Sequence, residues 1–217
     1  MSRRHAIQLG GAIALFVFLT ASLDAGGWAV VTVVKTPDTV LVGTPITVMY
    51  AVRQHGQHLL SGLHGRIEAR FGETVVQATS SPLSEDGYYA ATLTLPRAGT
   101  WTLDIVSGFN TSAGRAAVRA VVSIEDAPAL SPIVRGGRLF VSKGCVTCHL
   151  EGMSAAPALK ASGYDADYLT QFLRRPSVRA TTVFPMPNLG LDEAEIAALV
   201  AFLNGRQSSD GSITKPA

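Results

Sequence analysis

The sequence is poor in cysteine and in charged residues. Of its 217 residues only two are cysteine, and Asp, Glu, Lys and Arg together make up 16%. The formal net charge is +2, so the chain lacks the basic footprint of a nucleic-acid-binding protein. No cysteine and no histidine follows His149, which argues against a structural zinc site, because such sites commonly take a second pair of ligands downstream. The apolar share of 47% is ample for globular cores, and the length allows one or two domains.

Both cysteines lie in one motif, Cys145-Val146-Thr147-Cys148-His149. C-x-x-C-H is the attachment signature of c-type haem. Residues i, i+3 and i+4 share one face of a helical turn, so both thiols can reach the vinyl groups of one porphyrin while His149 binds the iron. A thioredoxin-like redox pair would need a βαβ context, which does not follow the motif. The motif therefore predicts one covalently bound haem c and leaves no cysteine for a disulfide.

Met186 is the candidate for the sixth ligand of the iron. It lies between Pro185 and Pro187, which fix the backbone and favour an extended loop. A methionine that only fills a gap in a core does not need a backbone that is restricted on both sides. Met153 follows His149 too closely to cross easily to the opposite haem face, and Met49 lies in another domain. Ligation by His149 and Met186 would raise the reduction potential, which suits electron transfer.

With these motifs the chain resembles class I c-type cytochromes over about residues 132–206. The matching segments are Gly136-Gly137-Arg138-Leu139-Phe140, Ala156-Pro157-Ala158-Leu159, the Met186 loop and Ala198-Leu199-Val200-Ala201-Phe202-Leu203. The resemblance implies an all-α, electron-transferring domain whose first and last helices cross with Gly136 against Phe202. It also implies that Pro157 offers its backbone carbonyl to the ring N–H of His149, and that Leu159 belongs to the haem-binding residues.

Few charged side chains lie near the haem motif. The two haem propionates need partners, and Arg174, Arg175 and Arg179 lie between the predicted second helix and the Met186 loop. We take Arg179 as a haem-binding candidate, with a solvated basic patch as the alternative.

The docking face of the family is often ringed by lysine, whereas only Lys143 and Lys160 lie near this motif. A strongly charge-steered soluble carrier is therefore disfavoured.

Residues 1–25 have the composition of an export segment. Arg3, Arg4 and His5 form a basic start, and Ala6 to Ala21 is almost wholly apolar. Because a membrane-spanning helix needs about 20 apolar residues, a cleaved signal peptide is favoured over an uncleaved membrane anchor. Either form predicts an exported protein, in the periplasm or at the outer face of the cytoplasmic membrane.

Residues 26–125 predict an immunoglobulin-like β-sandwich. Short runs that are β-branched or alternate with period two recur between turn signals, at 28–34, 40–42, 46–52, 67–71, 74–79, 88–95, 100–106 and 118–124. The stretch from Gly87 to Trp101 resembles the last hairpin of immunoglobulin-like domains fused to bacterial redox proteins. This likeness concerns the fold alone.

The same region contains His55, His58 and His64 in a glycine-rich stretch, with Met49 nearby in sequence. Imidazole and thioether groups suit copper, so a copper site is one hypothesis. A solvated hairpin loop that serves as a binding surface for a partner protein is the favoured alternative.

A domain boundary is predicted at the linker 126–132, where prolines and acidic residues show no hydrophobic period. The cytochrome domain is expected at 133–206 and a flexible tail at 207–217. Ser131-Pro132 begins its first helix, and a second helix runs from about Asp165 to Arg174. The last helix begins with a capping box formed by Asp192 and Glu195 and ends at Asn204-Gly205.

Together these features predict an exported, two-domain, monohaem c-type cytochrome that is not an enzyme, since electron transfer makes or breaks no bond in a substrate. A subunit or tethered domain of a membrane respiratory or photosynthetic complex is favoured over a free shuttle. Its expected partners are redox proteins and, through the N-terminus, the membrane, but not nucleic acid. Two alternatives stay open: a copper-handling redox protein, and a haem enzyme or gas sensor with an open sixth site, which Met186 argues against.

Overall fold

A computed structural model of the chain describes residues 27–149, 165–176 and 185–205. Within these three stretches the strands lie between residues 29 and 121, and the helices lie between 132 and 205. None of the described helices has both the length and the apolar character that crossing a membrane requires. The predicted export segment 1–25 and the predicted tail 207–217 lie outside the described residues.

Ten strands of the described chain form two sheets. Their bounds are β1 Ala29–Lys35, β2 Thr39–Leu41, β3 Pro45–Gln54, β4 His58–Leu59, β5 Arg66–Phe71, β6 Thr74–Thr79, β7 Ser81–Pro82, β8 Tyr88–Thr94, β9 Gly99–Val106 and β10 Ala113–Val121. The first sheet has the order β1-β3-β8-β7, with β4 paired to β3, and the second has the order β2-β10-β9-β5-β6. Apart from the parallel pair β2 and β10, these strand pairs are antiparallel.

The two sheets share one apolar core. Alternate residues of the longer strands point into it, as period-two geometry requires, among them Val48, Tyr50 and Val52 of β3 and Trp101, Leu103 and Ile105 of β9. The indole N–H of Trp101 donates to the carbonyl of Arg97 at 2.9 Å, so this buried polar atom is satisfied. The N-terminal region is therefore a two-sheet β structure, and its immunoglobulin-like character stays a prediction.

The stretch from Gly87 to Trp101 is not a hairpin, and this prediction was wrong. β8 pairs with β3 and β7 in the first sheet, whereas β9 pairs with β5 and β10 in the second. The chain crosses between the sheets because Leu95, just after β8, is fully buried in the shared core. Gly99 then enters β9 with φ +144, where a Cβ would overlap the ring of Phe71. The last hairpin of the sandwich is instead formed by β9 and β10.

Four helices follow in the described residues: α1 Pro132–Ser142, α2 Val146–His149, α3 Ala166–Arg174 and α4 Glu193–Gly205. The predicted helix starts are confirmed. The hydroxyl of Ser131 accepts from Val134 N–H at 3.4 Å, and Asp165 caps α3 through its side chain. In the capping box of α4, Asp192 accepts from Glu195 N–H at 2.7 Å and Glu195 accepts from Asp192 N–H at 3.2 Å.

Helices α1 and α4 cross at Gly136. A Cβ at this position would overlap the carbonyl oxygen of Ala198 and would lie 2.6 Å from the Cβ of Phe202. The helices can approach this closely because glycine has no side chain. One turn further along α1, the ring of Phe140 packs on that of Phe202 with centroids 5.6 Å apart. The predicted contact between Gly136 and Phe202 is confirmed.

The helical region packs against the sandwich at strands β10 and β1. Residues 29–33 are all buried, although strand side chains alternate between two faces. Ala29, Val31 and Val33 point into the sandwich core, so Val30 and Thr32 are covered from outside it. On the helical side, Arg135 of α1 pairs with Asp38 of the β1–β2 connection at 2.9 Å. The linker therefore does not separate the two regions in space.

Candidate haem site

The C-x-x-C-H motif folds as a single helical turn. The backbone N–H groups of Cys148 and His149 both donate to the carbonyl of Cys145, at 3.2 and 2.9 Å. The two cysteines are partly exposed and form no disulfide. The structure thus places both thiols and the imidazole-bearing residue within one turn, as their spacing predicts.

Burial disfavours the thiolate form of both cysteines of the motif. Burial raises the pKa of the Cys145 thiol to about 12 and also raises the pKa of Cys148. A dithiol that cycles through a disulfide depends on a lowered cysteine pKa, because the thiolate is the attacking species. The raised pKa values therefore give no support to a thioredoxin-like pair.

Met186 and Cys145 lie against the same apolar cluster. Its buried centre consists of Phe140 of α1, Leu173 of α3, and Ile196 and Leu199 of α4. Cys145, Val146, Met186 and Leu191 are among the partly buried residues that pack on it. The structure thus brings the attachment motif and the methionine loop together, although they are far apart in sequence. An apolar wall with the sulfur-bearing side chains of Cys145 and Met186 packed on it, and with His149 in the same helical turn as Cys145, fits the chemistry of a haem pocket.

Pro185 to Gly190 has no regular secondary structure, as the paired prolines predict. The side chain of Asn188 accepts from Gly190 N–H at 3.0 Å, and Gly190 adopts φ +63. This local turn leads directly into Leu191 and the capped start of α4. The loop that carries Met186 is therefore fixed on its C-terminal side by the same helix that forms the core cluster.

Lys143, one of the two lysines near the haem motif, is buried and does not lie on an exposed docking surface. Its side chain is 4% exposed, and its Nζ lies 2.7 Å from Oε1 of Glu195 and 3.4 Å from the carbonyl oxygen of Val34. This ion pair ties the end of α1 to the capping box of α4 and to strand β1. Sequence reasoning missed this role; the available signal was the unbroken apolar run of β1, which is typical of a strand covered on both faces.

The structure describes Arg174 and Arg175 among the candidate propionate partners, and their role toward a haem stays a prediction. The guanidinium of Arg174 makes two hydrogen bonds to Glu193, at 2.9 and 2.6 Å, and these hold the pKa of that carboxyl below its usual range. Arg175 ends α3, where its N–H donates to the carbonyl of Gln171 at 3.1 Å. Three predicted haem-binding residues lie outside the described residues: Pro157, Leu159 and Arg179.

The three histidines of the sandwich lie on the β3–β4 hairpin and just beyond it. His55 occupies the turn with φ 51, while His58 in β4 and His64 are exposed. In the part of the chain that the structure describes, no group of three or more His, Cys, Asp or Glu side chains is placed to hold a metal ion. The copper hypothesis stays a prediction.

The C-x-x-C-H turn, the crossing at Gly136 and the apolar cluster beside Met186 fit a c-type cytochrome domain. Residues 132–203 match the family model described as cytochrome c oxidase, cbb3-type, subunit III. The match spans less than half of the chain and supports a c-type cytochrome domain in its C-terminal part. No curated protein matches the chain.

Solved structures show only weak likeness to the chain. A superoxide reductase (neelaredoxin) from Ignicoccus hospitalis is 14% identical, with a TM-score of 0.31 over 42% of this chain and 80% of that one. A CARDB domain from Pyrococcus furiosus, in complex with di-metal ions, is 13% identical, with a TM-score of 0.30 over 44% of this chain and 94% of that one. Likeness at these TM-scores has no bearing on the function of the sandwich.

Proposed function

We propose that this protein is an exported monohaem c-type cytochrome that passes single electrons between partner redox proteins of a membrane complex. One observation carries the proposal: the structure places the haem-attachment motif and the loop of Met186 against one apolar cluster. A single C-x-x-C-H motif in the sequence supports one haem per chain.

In this proposal Cys145 and Cys148 would hold the haem through thioethers, and His149 and Met186 would bind its iron. When bound, the haem supplies a one-electron Fe(III)/Fe(II) couple. The apolar side chains of α1, α3 and α4 exclude water, and the thioether of Met186 favours Fe(II) and so raises the potential. With both His149 and Met186 bound to the iron, the chain would leave no position for a substrate, which is why we propose an electron carrier and not an enzyme.

The proposed location and partners rest on separate observations. The basic start and apolar run within residues 1–25 support export, to the periplasm or the outer face of the membrane. The matched family is described as a subunit of a cytochrome oxidase, which supports a role as a subunit or tethered domain of a membrane respiratory complex. The burial of Lys143 removes one of the few lysines near the motif, so steering by charge contributes little to docking.

A redox titration and a carbon monoxide binding experiment on the purified holoprotein test this function. We expect one haem per chain, a single one-electron transition, and slow binding of carbon monoxide to the reduced protein, because the sulfur of Met186 must first leave the iron. Rapid binding of carbon monoxide to the wild-type protein would contradict the proposal and would favour a haem enzyme or gas sensor with an open sixth site.

A further inference from the structure

Strand β1 supports the haem-attachment motif from the side of the sandwich. Gly144, directly before Cys145, adopts φ +80, and a Cβ there would lie 2.6 Å from Cγ1 of Val30 and 2.8 Å from the carbonyl oxygen of Val31. The next residue back, Lys143, reaches the carbonyl oxygen of Val34. The two residues that lead into the motif are therefore seated on the outer face of one sandwich strand.

The β3–β4 hairpin contacts the Met186 loop. The side-chain amide of Gln57 donates to the carbonyl oxygen of Pro185 at 2.5 Å. At the neighbouring Gly56, a Cβ position would lie 4.0 Å from Cδ of Pro187 and 3.7 Å from Cγ2 of Val30. The sandwich thus touches the prolines on both sides of Met186, and Val30 lies beside both Gly56 and Gly144.

Backbone hydrogen bonds fix the conformation of the β3–β4 hairpin. Gly56 N–H donates to the carbonyl of Arg53 at 3.1 Å, and Gln57 N–H donates to that of Gln54 at 3.0 Å. His55 N–H donates to the carbonyl of Trp28 at 3.0 Å, which ties the turn to the start of β1. Backbone hydrogen bonds therefore join the part of the sandwich that contacts the motif to the part that contacts the loop.

We propose that the β-sandwich fixes the separation between the haem-attachment turn and the Met186 loop, with Gln57 as the positioning residue for Met186. The carbonyl that accepts from Gln57 belongs to the peptide bond between Pro185 and Met186. Its hydrogen bond holds the backbone of Met186, and Pro187 limits rotation on the other side. In this arrangement the sandwich contributes to the haem pocket by positioning two of its segments. This inference rests on the proposed function, in which Met186 binds the iron.

The test compares Gln57→Glu, Gln57→Ala and Gln77→Ala in the full-length holoprotein. Gln57→Glu keeps the size of the side chain but removes the N–H donors, and Gln77 is a matched control, an exposed glutamine of β6 in the other sheet. One lost hydrogen bond changes a local equilibrium by about threefold to tenfold. Both Gln57 variants should therefore bind carbon monoxide in the reduced state about threefold to tenfold faster than the wild type. They should also lose intensity in the sulfur-to-iron charge-transfer band, with haem content and unfolding midpoint unchanged.

Each outcome decides between the proposals. Wild-type rates and an unchanged band in both Gln57 variants would overturn the positioning role and leave the electron-carrier function intact. An equal change in Gln77→Ala would also overturn it, because the effect would then not depend on the contact with Pro185. A wild-type protein that lacks the band and binds carbon monoxide at once would overturn both proposals.

Discussion

Replacement of both Cys145 and Cys148 with alanine is expected to abolish covalent attachment of haem. Each thiol supplies one thioether in the C-x-x-C-H arrangement, and the sequence contains no other cysteine that could substitute. Each single variant should keep at most one thioether and less bound haem. Haem staining after denaturing electrophoresis measures the effect directly, since haem that is not covalently bound is lost from the unfolded chain.

Thr147→Ala is the matched control for this experiment. Thr147 lies inside the same helical turn but supplies neither a thiol nor an imidazole. Haem staining of this variant should stay close to that of the wild type. Staining of the double cysteine variant at wild-type strength would exclude haem attachment at this motif.

Gly136→Ala should strongly destabilise the cytochrome domain. Alanine normally improves a helix interior by about 1 kcal/mol relative to glycine. Here its Cβ would overlap the carbonyl oxygen of Ala198 and push α1 away from α4. Overpacking of this kind costs about 1–3 kcal/mol, and more where backbone atoms must move. We expect the steric effect to prevail, with a lower urea midpoint and a smaller fraction of haem-loaded protein.

Gly137→Ala is the control for this second prediction. It lies next to Gly136 in α1, but its Cβ would meet only the far edge of the Phe202 ring, at 3.2 Å, where a small ring movement relieves the contact. Both substitutions gain the same intrinsic helix propensity, so their difference measures the helix crossing alone. Equal urea midpoints for the two variants would show that α1 and α4 do not cross at Gly136 as closely as described.

Local features of this fold could be predicted from the sequence because each has a local physical cause. Ser131 and Asp192 begin helices because their side chains accept hydrogen bonds from backbone N–H groups that have no partner within the first helical turn. The C-x-x-C-H spacing defines a helical turn by itself. The contact of Gly136 with Phe202 is not local, and it could be predicted only through the family resemblance.

Contacts between the two regions could not be predicted in the same way. The hydrogen bond from Gln57 to Pro185 joins residues that are distant in sequence, and neither residue type indicates which partner it will contact. The burial of Lys143 depends on Glu195, whose position beside a helix start already had a sufficient local explanation as a cap. The mistaken hairpin from Gly87 to Trp101 has a similar origin, because strand patterns show where strands lie and not which sheet they join.

The near-infrared spectrum of the ferric protein tests the central claim most directly. If Met186 binds the iron, the wild type has a weak sulfur-to-iron charge-transfer band at about 700 nm, as its family resemblance implies, and Met186→Ala loses the band and has a lower reduction potential. Met153→Ala, which removes the other methionine near the motif, should keep both the band and the potential. Survival of the band in Met186→Ala would contradict the account, because the sulfur ligand would then have to come from another residue.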